Sequence, residues 1–130
     1  MIIDTSALVA ILRDEPDAAR YAAAIAEASE RRVSAATYVE IAAVIDGADD
    51  AIASRRLDEL FQEARIIIEP VTQSQAQLAR QAYRDFGKWR GHAAKLNFGD
   101  CFAYAPAAEK SEPLLFKGDD FAQTNIAGAL

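Results

Sequence analysis

Short apolar runs, separated by longer stretches with helical periodicity, limit the possible folds of this chain more than any other feature. The clearest run, residues 65–70, holds three successive isoleucines and is closed by a proline. Such a run is typical of a strand buried on both faces of a parallel sheet. Similar runs lie at residues 2–3, 32–35 and 113–116. Because the strands alternate with helices, the sequence predicts an α/β fold with a central parallel sheet of four or five short strands flanked by helices.

The predicted helices occupy most of the remaining chain. They cover residues 7–12, 16–30, 37–45, 50–63 and 74–86, and a sixth begins near Phe98 or Asp100. Gly47 and Gly87 follow two of these segments, as glycine often does at a helix end. No repeat, linker or low-complexity tract divides the sequence, so we expect a single domain over residues 1–130.

The charge of the chain is segregated along the sequence. Fourteen basic and 20 acidic residues give a formal net charge of −6, which argues against general affinity for nucleic acid. Residues 80–95 are the exception, with five basic residues and one acid. No apolar run is long enough for a membrane helix, the start lacks the features of a signal peptide, and the single cysteine excludes an internal disulfide. We therefore expect a cytoplasmic protein that does not enter a membrane.

Acidic residues recur where predicted strands meet helices. Asp4 follows the first strand, Glu40 lies three residues after Thr37, and Asp100 lies three residues after Asn97. Asp119 and Asp120 follow the last strand. Ligands of parallel sheets bind outside the carboxyl ends of the strands, so four or five carboxylates are predicted to meet at one edge.

The positions of these acids have two interpretations, helix capping and metal binding. Asp4 can cap a helix, and the pairs Thr37–Glu40 and Asn97–Asp100 have the spacing of capping boxes. However, carboxylates set beside apolar segments are costly unless something compensates their charge. Carboxylate oxygens without clustered His or Cys favour Mg²⁺ or Mn²⁺, and such ions activate water against phosphodiesters. The spacing thus indicates phosphoryl chemistry without identifying the substrate.

Four segments, in order and spacing, resemble PIN-domain ribonucleases of the VapC type, the toxins of VapBC toxin–antitoxin pairs. They are residues 1–7 (MIIDTSA), 38–40 (YVE), 96–105 (LNFGDCFAYA) and 113–121 (PLLFKGDDF). The resemblance implies a PIN-like three-layer sandwich and a Mg²⁺- or Mn²⁺-dependent endoribonuclease. It also implies a homodimer, a VapB-type antitoxin, and tRNA or rRNA as the RNA substrate.

The resemblance assigns roles by position. Asp4 and Asp100 would be the main metal ligands, and Glu40 would complete the site, directly or through water. The fourth acid departs from the usual Asp-x-Asp-Phe pattern, because this chain has adjacent aspartates after a glycine. We favour Asp119 as the fourth catalytic acid and keep Asp120 as its rival.

The basic segment holds the candidates for contact with RNA. Lys88, Arg90 and Lys95 would meet phosphates, and Trp89 would either stack on an unpaired base or pack inward. Trp89 stands where related proteins often have a small residue. Pro106 is a second departure, since it interrupts the predicted last helix and is expected to kink or destabilise it.

Other interpretations carry less weight. His92 has no acid or nucleophile at a telling spacing, and Cys101 is expected to be a buried apolar residue rather than a nucleophile. A receiver domain would also use a Mg²⁺ site and a lysine such as Lys117, but it needs an acidic pair and a phosphorylatable Asp that are missing here. A haloacid-dehalogenase phosphatase would need Asp-x-Asp on the first strand. A catalytically inactive PIN domain that only binds partners is the remaining alternative.

Overall fold

The computed structural model describes residues 1–130, and its elements alternate as predicted. Four strands and six helices follow one another in chain order as β1 (Ile2–Ile3), α1 (Thr5–Leu12), α2 (Ala18–Glu27), β2 (Arg32–Ser34), α3 (Ala35–Asp46), α4 (Ala51–Glu63), β3 (Ile67–Glu69), α5 (Gln73–Phe86), α6 (Phe98–Lys110) and β4 (Leu114–Leu115). A short 3₁₀ turn, Phe121–Gln123, follows β4. No helix is long and apolar enough to cross a membrane.

The strands form one parallel sheet in the order β3-β2-β1-β4. Ile2 pairs with Arg32 on one side and with Leu114 on the other, so β1 occupies the interior of the sheet. All four strands therefore end at the same edge, where Asp4 follows β1 directly. The predicted parallel α/β architecture is confirmed.

Two apolar cores lie on opposite faces of the sheet and make the fold a three-layer sandwich. Neighbouring strand residues alternate between the faces. Ile3 and Leu115 pack in the core shared with helices α1 to α4, whereas Ile2 and Leu114 pack in the core shared with α5 and α6. Burying each such side chain stabilises the fold by roughly 1.5–3 kcal/mol. The ends of β1 and β4 are thus held firmly on both faces.

The prediction that residues 65–70 form a strand buried on both faces was wrong. β3 is an edge strand that pairs only with β2, and Ile67 and Ile68 are 51% and 43% exposed. Ile66, just before the strand, is the isoleucine that enters the core. A β-branched apolar run indicates a strand, but it does not specify whether the strand lies at the centre or the edge of the sheet.

Two helix boundaries also differ from the prediction. The second helix begins at Ala18 rather than Pro16, and α3 begins at Ala35 with Ser34 as its cap. The Ser34 hydroxyl accepts a hydrogen bond from the Ala36 N–H at 3.2 Å. Thr37 therefore lies inside the helix, fully buried, and the predicted Thr37–Glu40 capping box does not form.

Helix α6 runs through Pro106 without ending there. It continues to Lys110, and Pro106 is buried between Ala105 and Ala107, which both pack in the second core. A proline inside a helix removes one backbone hydrogen bond, so packing of this apolar stretch offsets that loss. Pro106 lies almost two turns beyond Asp100 and leaves the start of the helix unaffected.

Candidate functional site

Asp4 lies at the carboxyl end of β1 and caps helix α1. Its Oδ2 atom accepts hydrogen bonds from the Ser6 backbone N–H at 2.9 Å and from the Ser6 hydroxyl at 2.6 Å. The side chain is nevertheless only 3% exposed. The pKa of Asp4 is raised from 3.8 to about 6, chiefly by burial and also by the charge of Glu40, against the lowering effect of the Ser6 hydrogen bonds. The capping role is confirmed, but it does not fully compensate the buried charge.

Glu40 reaches the same edge from the second turn of α3. Its Oε1 atom accepts a hydrogen bond from the Thr5 hydroxyl, which ties α3 to the start of α1. The Glu40 carboxylate also lies against the backbone of Gly99 on α6, where a Cβ atom would collide with it. Glycine at position 99 therefore allows the side chains of α3 and α6 to approach each other.

Asp100 occupies the third position of α6 and forms a capping box with Asn97. The Asn97 N–H donates to the Asp100 carboxylate, and the Asp100 N–H donates to the Asn97 side chain, both at 2.9 Å. The pKa of Asp100 is raised from 3.8 to about 7, chiefly by burial and also by the charges of Asp4, Asp120 and Glu40, against the lowering effect of the Asn97 hydrogen bond. The predicted capping box is confirmed. These like charges also place Asp4, Glu40, Asp100 and Asp120 in one electrostatic cluster.

The two adjacent aspartates after β4 are not equivalent in the structure. Both are exposed and follow Gly118, whose φ of 100° requires the conformational freedom of glycine. Asp120 is the one whose charge raises the pKa of Asp100. The backbone carbonyl of Asp119 accepts a bond from Ala122 N–H at 3.2 Å, which fixes the turn. Electrostatic coupling therefore favours Asp120 as the fourth acid, whereas the sequence favoured Asp119.

The cluster has the chemistry of a divalent-cation site without a closed cage. No group of three or more His, Cys, Asp or Glu side chains is arranged as a metal site. The hydrogen bonds of Asp4, Glu40 and Asp100 fall on one oxygen of each carboxylate, so the second oxygen is available. Mg²⁺ commonly takes one or two carboxylates and fills its remaining positions with water or ligand oxygens. The residues present therefore fit Mg²⁺ or Mn²⁺.

Three residues that position the acids were not predicted from the sequence. Ser6 binds Asp4, and its hydroxyl also accepts the Lys117 backbone N–H at 2.9 Å, which joins α1 to the segment after β4. Thr5 holds Glu40, and Gly99 makes room for it. The hydroxyls of Ser6 and Thr5 and the absence of a Cβ atom at Gly99 matter only because segments distant in sequence come into contact there. The Thr-Ser pair directly after a strand-end aspartate was the one signal available.

Three other candidates have structural roles. Cys101 is 2% exposed, and burial raises the pKa of its thiol to about 12, which excludes a reactive thiolate. His92 accepts the Ala94 N–H at 3.0 Å and packs edge-on against Phe86. The Lys117 ammonium binds Glu15 and Asp17 rather than the carboxylate cluster, which counts against the receiver-domain interpretation.

The basic residues predicted to contact RNA are exposed. Arg80, Lys88, Arg90 and Lys95 form no ion pair within the chain. Trp89 is 85% exposed, so the alternative in which it packs inward was wrong.

The largest cavity lies elsewhere in the molecule. A groove of about 820 Å³ opens at the amino ends of the strands, beside Met1, Arg32 and Glu112. The terminal ammonium of Met1 lies 2.7 Å from Glu112, and Arg32 is paired with both Glu112 and Glu30.

Comparisons with known proteins point to one family. The family model described as "PIN domain" matches residues 1–127. The chain is 58% identical over 130 residues to Ribonuclease VapC28 of Mycobacterium tuberculosis, covering 100% of this chain and 98% of the relative. It is 49% identical over 127 residues to Ribonuclease VapC30 of the same organism, covering 98% of this chain and 96% of that protein.

Solved structures show the same fold at low sequence identity. The toxin VapC20 of M. tuberculosis, described as cleaving the sarcin-ricin loop, aligns with a TM-score of 0.74 at 17% identity, covering 97% of this chain and 95% of that one. A chain of the FitAcB structure from Neisseria gonorrhoeae aligns with a TM-score of 0.70 at 20% identity, covering 98% and 94%. The match extends over the whole sheet and both helix layers.

Proposed function

Because the chain belongs to the PIN-domain family, in its branch of VapC-type ribonucleases, we propose that it is a metal-dependent endoribonuclease and the toxin of a toxin–antitoxin pair. The observation that carries the proposal is that Asp4, Glu40 and Asp100, three members of the electrostatic cluster, meet at the carboxyl edge of the sheet. Two of these acids have strongly raised pKa values, a state that a bound divalent cation relieves by favouring the ionised form.

Asp4 and Asp100 are the proposed metal ligands, one from each side of the site. Asp4 is fixed by Ser6 and Asp100 by Asn97, so both carboxylates are oriented before any ligand arrives. When bound, Mg²⁺ or Mn²⁺ lowers the pKa of water and stabilises negative charge on a phosphodiester. Glu40 is proposed to orient the attacking water, because its free oxygen lies at the same edge. The water oxygen forms the new bond to phosphorus and gives up a proton to solvent, while the bond to the leaving ribose oxygen breaks and that oxygen takes up a proton.

The fourth acid extends the cluster toward solvent. Asp119 and Asp120 are both exposed at the start of the turn after β4, and Asp120 is proposed as the fourth acid because its charge acts on Asp100. The basic residues Lys88, Arg90 and Lys95 are proposed to bind RNA phosphates, which the acidic cluster alone would repel.

A protein partner follows from the family. The matched structures include one described as a toxin–antitoxin complex from Klebsiella pneumoniae, with a TM-score of 0.71. We propose a VapB-type antitoxin as a partner of this chain and a second copy of the chain as another. Light scattering of the chain alone and with a co-expressed antitoxin tests both assignments.

Metal-dependent cleavage is the experiment that tests this function. Purified protein is incubated with a panel of tRNA and rRNA fragments in Mg²⁺ or Mn²⁺, in EDTA, and in EDTA followed by excess cation. We expect cleavage with either cation, none in EDTA, and recovery on adding the cation back. An Asp4→Asn variant purified identically controls for contaminating ribonuclease. Cleavage that persists in EDTA, or that the variant reproduces, would contradict the proposal; a folded wild-type protein that cuts none of these RNAs would favour the binding-only alternative.

A further inference from the structure

The segment between α5 and α6 is a well-braced loop, here called the Trp89 loop (residues 88–95). Its base is closed by hydrogen bonds from the Lys88 N–H to the Leu96 carbonyl at 2.7 Å and from the Leu96 N–H to the Phe86 carbonyl at 2.8 Å. Leu96 is fully buried, and His92 packs against Phe86 with ring centroids 5.0 Å apart. The loop is therefore held in shape by its own contacts.

This braced loop presents a large aromatic ring to solvent. Trp89 is 85% exposed and has a φ of 77°, a left-handed conformation that bulky residues rarely adopt. Its ring contacts the Lys88 ammonium, which lies 5.3 Å from the ring centroid and leaves the opposite face open. Large apolar rings are normally buried, and strained backbone conformations concentrate at functional positions. The exposure of the ring and the strained backbone together indicate that Trp89 has a functional role, such as ligand binding.

The charges around the ring identify what it contacts. Arg84, Lys88, Arg90 and Lys95 are all exposed, and Arg84 is the only one with an acidic neighbour, Asp85, at 3.5 Å. This concentration of positive charge occurs on a chain whose net charge is −6. Cations that flank an exposed aromatic ring match the phosphates and bases of a nucleic acid strand.

The loop is also connected directly to the proposed active site. Lys88 is hydrogen-bonded to Leu96, and the next residue, Asn97, donates to the Asp100 carboxylate at 2.9 Å. The base of the loop is therefore joined through Asn97 to the first turn of α6, which carries Asp100.

We propose that Trp89 stacks on an unpaired base of the RNA and so acts as a substrate-binding residue of this loop. This inference rests on the proposed ribonuclease activity and deepens it. In an A-form duplex the bases are stacked on one another, and an external ring has no free face to cover. In a loop or bulge a splayed base stacks on the indole while Lys88 and Arg90 bind the flanking phosphates.

Fluorescence offers a direct test, because Trp89 is the only tryptophan in the chain. An unlabelled single-stranded oligoribonucleotide of mixed sequence, and the same strand annealed to its complement, are titrated into the non-cleaving Asp4→Asn variant in EDTA. We expect saturable quenching of the emission by the single strand and weaker quenching by the duplex. Binding is followed in parallel by electrophoretic mobility. Single-strand binding without quenching, or equal quenching by both forms, would overturn the inference.

Substitutions separate this inference from the proposed function. Trp89→Ala is expected to raise KM for a loop-containing RNA about ten- to a hundredfold with little change in kcat, and Trp89→Phe should recover most of the loss. Ile52→Ala, which removes another exposed apolar side chain (64% exposed) on α4, serves as the matched control. Wild-type kinetics in Trp89→Ala would contradict the stacking role and leave the ribonuclease proposal intact. A wild-type protein that cleaves no RNA but shows the quenching would contradict the ribonuclease proposal and leave the stacking role intact. Loss of antitoxin binding alone in Trp89→Ala would assign the ring to a protein partner and overturn the inference.

Discussion

Asp100→Asn is expected to slow RNA cleavage by on the order of a thousandfold or more, because it removes one of the two proposed metal ligands. The asparagine oxygen can still accept the Asn97 N–H, so the start of α6 should keep its shape. The measurement is the initial cleavage rate at saturating Mg²⁺, with circular dichroism to confirm folding. Asp58→Asn changes an exposed acid on α4 and should retain wild-type activity. A folded Asp100→Asn protein with near wild-type rates would contradict the assigned role.

The same assay identifies the fourth acid. Asp120 acts on Asp100 through its charge, whereas the sequence pattern favoured Asp119. We expect the larger loss of activity in Asp120→Asn and a smaller one in Asp119→Asn. Both residues are exposed, so neither substitution should disturb the fold, and their relative rates give the answer directly. A larger loss in Asp119→Asn would restore the sequence-based choice.

Asp4→Asn is expected to make the metal-free protein more stable at pH 8, although it should also abolish cleavage. The folded state raises the pKa of Asp4 from 3.8 to about 6, and each pKa unit corresponds to about 1.4 kcal/mol. The ionised carboxylate therefore destabilises the folded protein by on the order of 1–3 kcal/mol. Asparagine can keep the hydrogen bonds from Ser6 without the charge. Urea unfolding in EDTA measures the difference.

The pH dependence of that difference provides its own check. Since the folded protein retains the Asp4 proton to a higher pH than the unfolded chain, the contribution of Asp4 to wild-type stability falls as pH rises from about 4 to about 7. The gain from Asp4→Asn should be near zero at pH 4 and largest above pH 7. Added Mn²⁺ should stabilise wild type at pH 8 but not the variant. A variant less stable than wild type at pH 8 in EDTA would show that the buried charge is compensated within the protein.

Much of the fold could be predicted because its signals are local. Residues 2–3 and 113–116 are short apolar runs that lie next to segments with helical periodicity, and both contain strands as predicted. β1 lies in the interior of the sheet and β4 at one of its edges. The position of a strand within the sheet, in contrast, is not determined by the local sequence. Residues 65–70 hold three successive isoleucines, yet β3 lies at the edge of the sheet, because strand order depends on which crossovers the helices allow.

The candidate site divides in the same way. Asp4, Glu40 and Asp100 could be identified because each stands at a recognisable junction or resembles a family motif. The residues that hold these three acids in place could not be identified in this way. The contact of Gly99 with Glu40 joins two helices that are distant in sequence, and the hydroxyl of Ser6 bridges Asp4 to the backbone after β4. Such roles depend on tertiary packing, which cannot be predicted from the residue type alone.

The central claim is that the buried carboxylates hold a divalent cation, and binding of Mn²⁺ measured by electron paramagnetic resonance tests it most directly. Free Mn²⁺ is titrated with the protein at pH 8 in the absence of RNA, which separates metal binding from catalysis. We predict saturable loss of the free Mn²⁺ signal with wild type, reversal by excess Mg²⁺, and no comparable binding by Asp4→Asn or Asp100→Asn. Equal binding by wild type and both variants would contradict the account, since it would place the cation on other acids of this negatively charged chain.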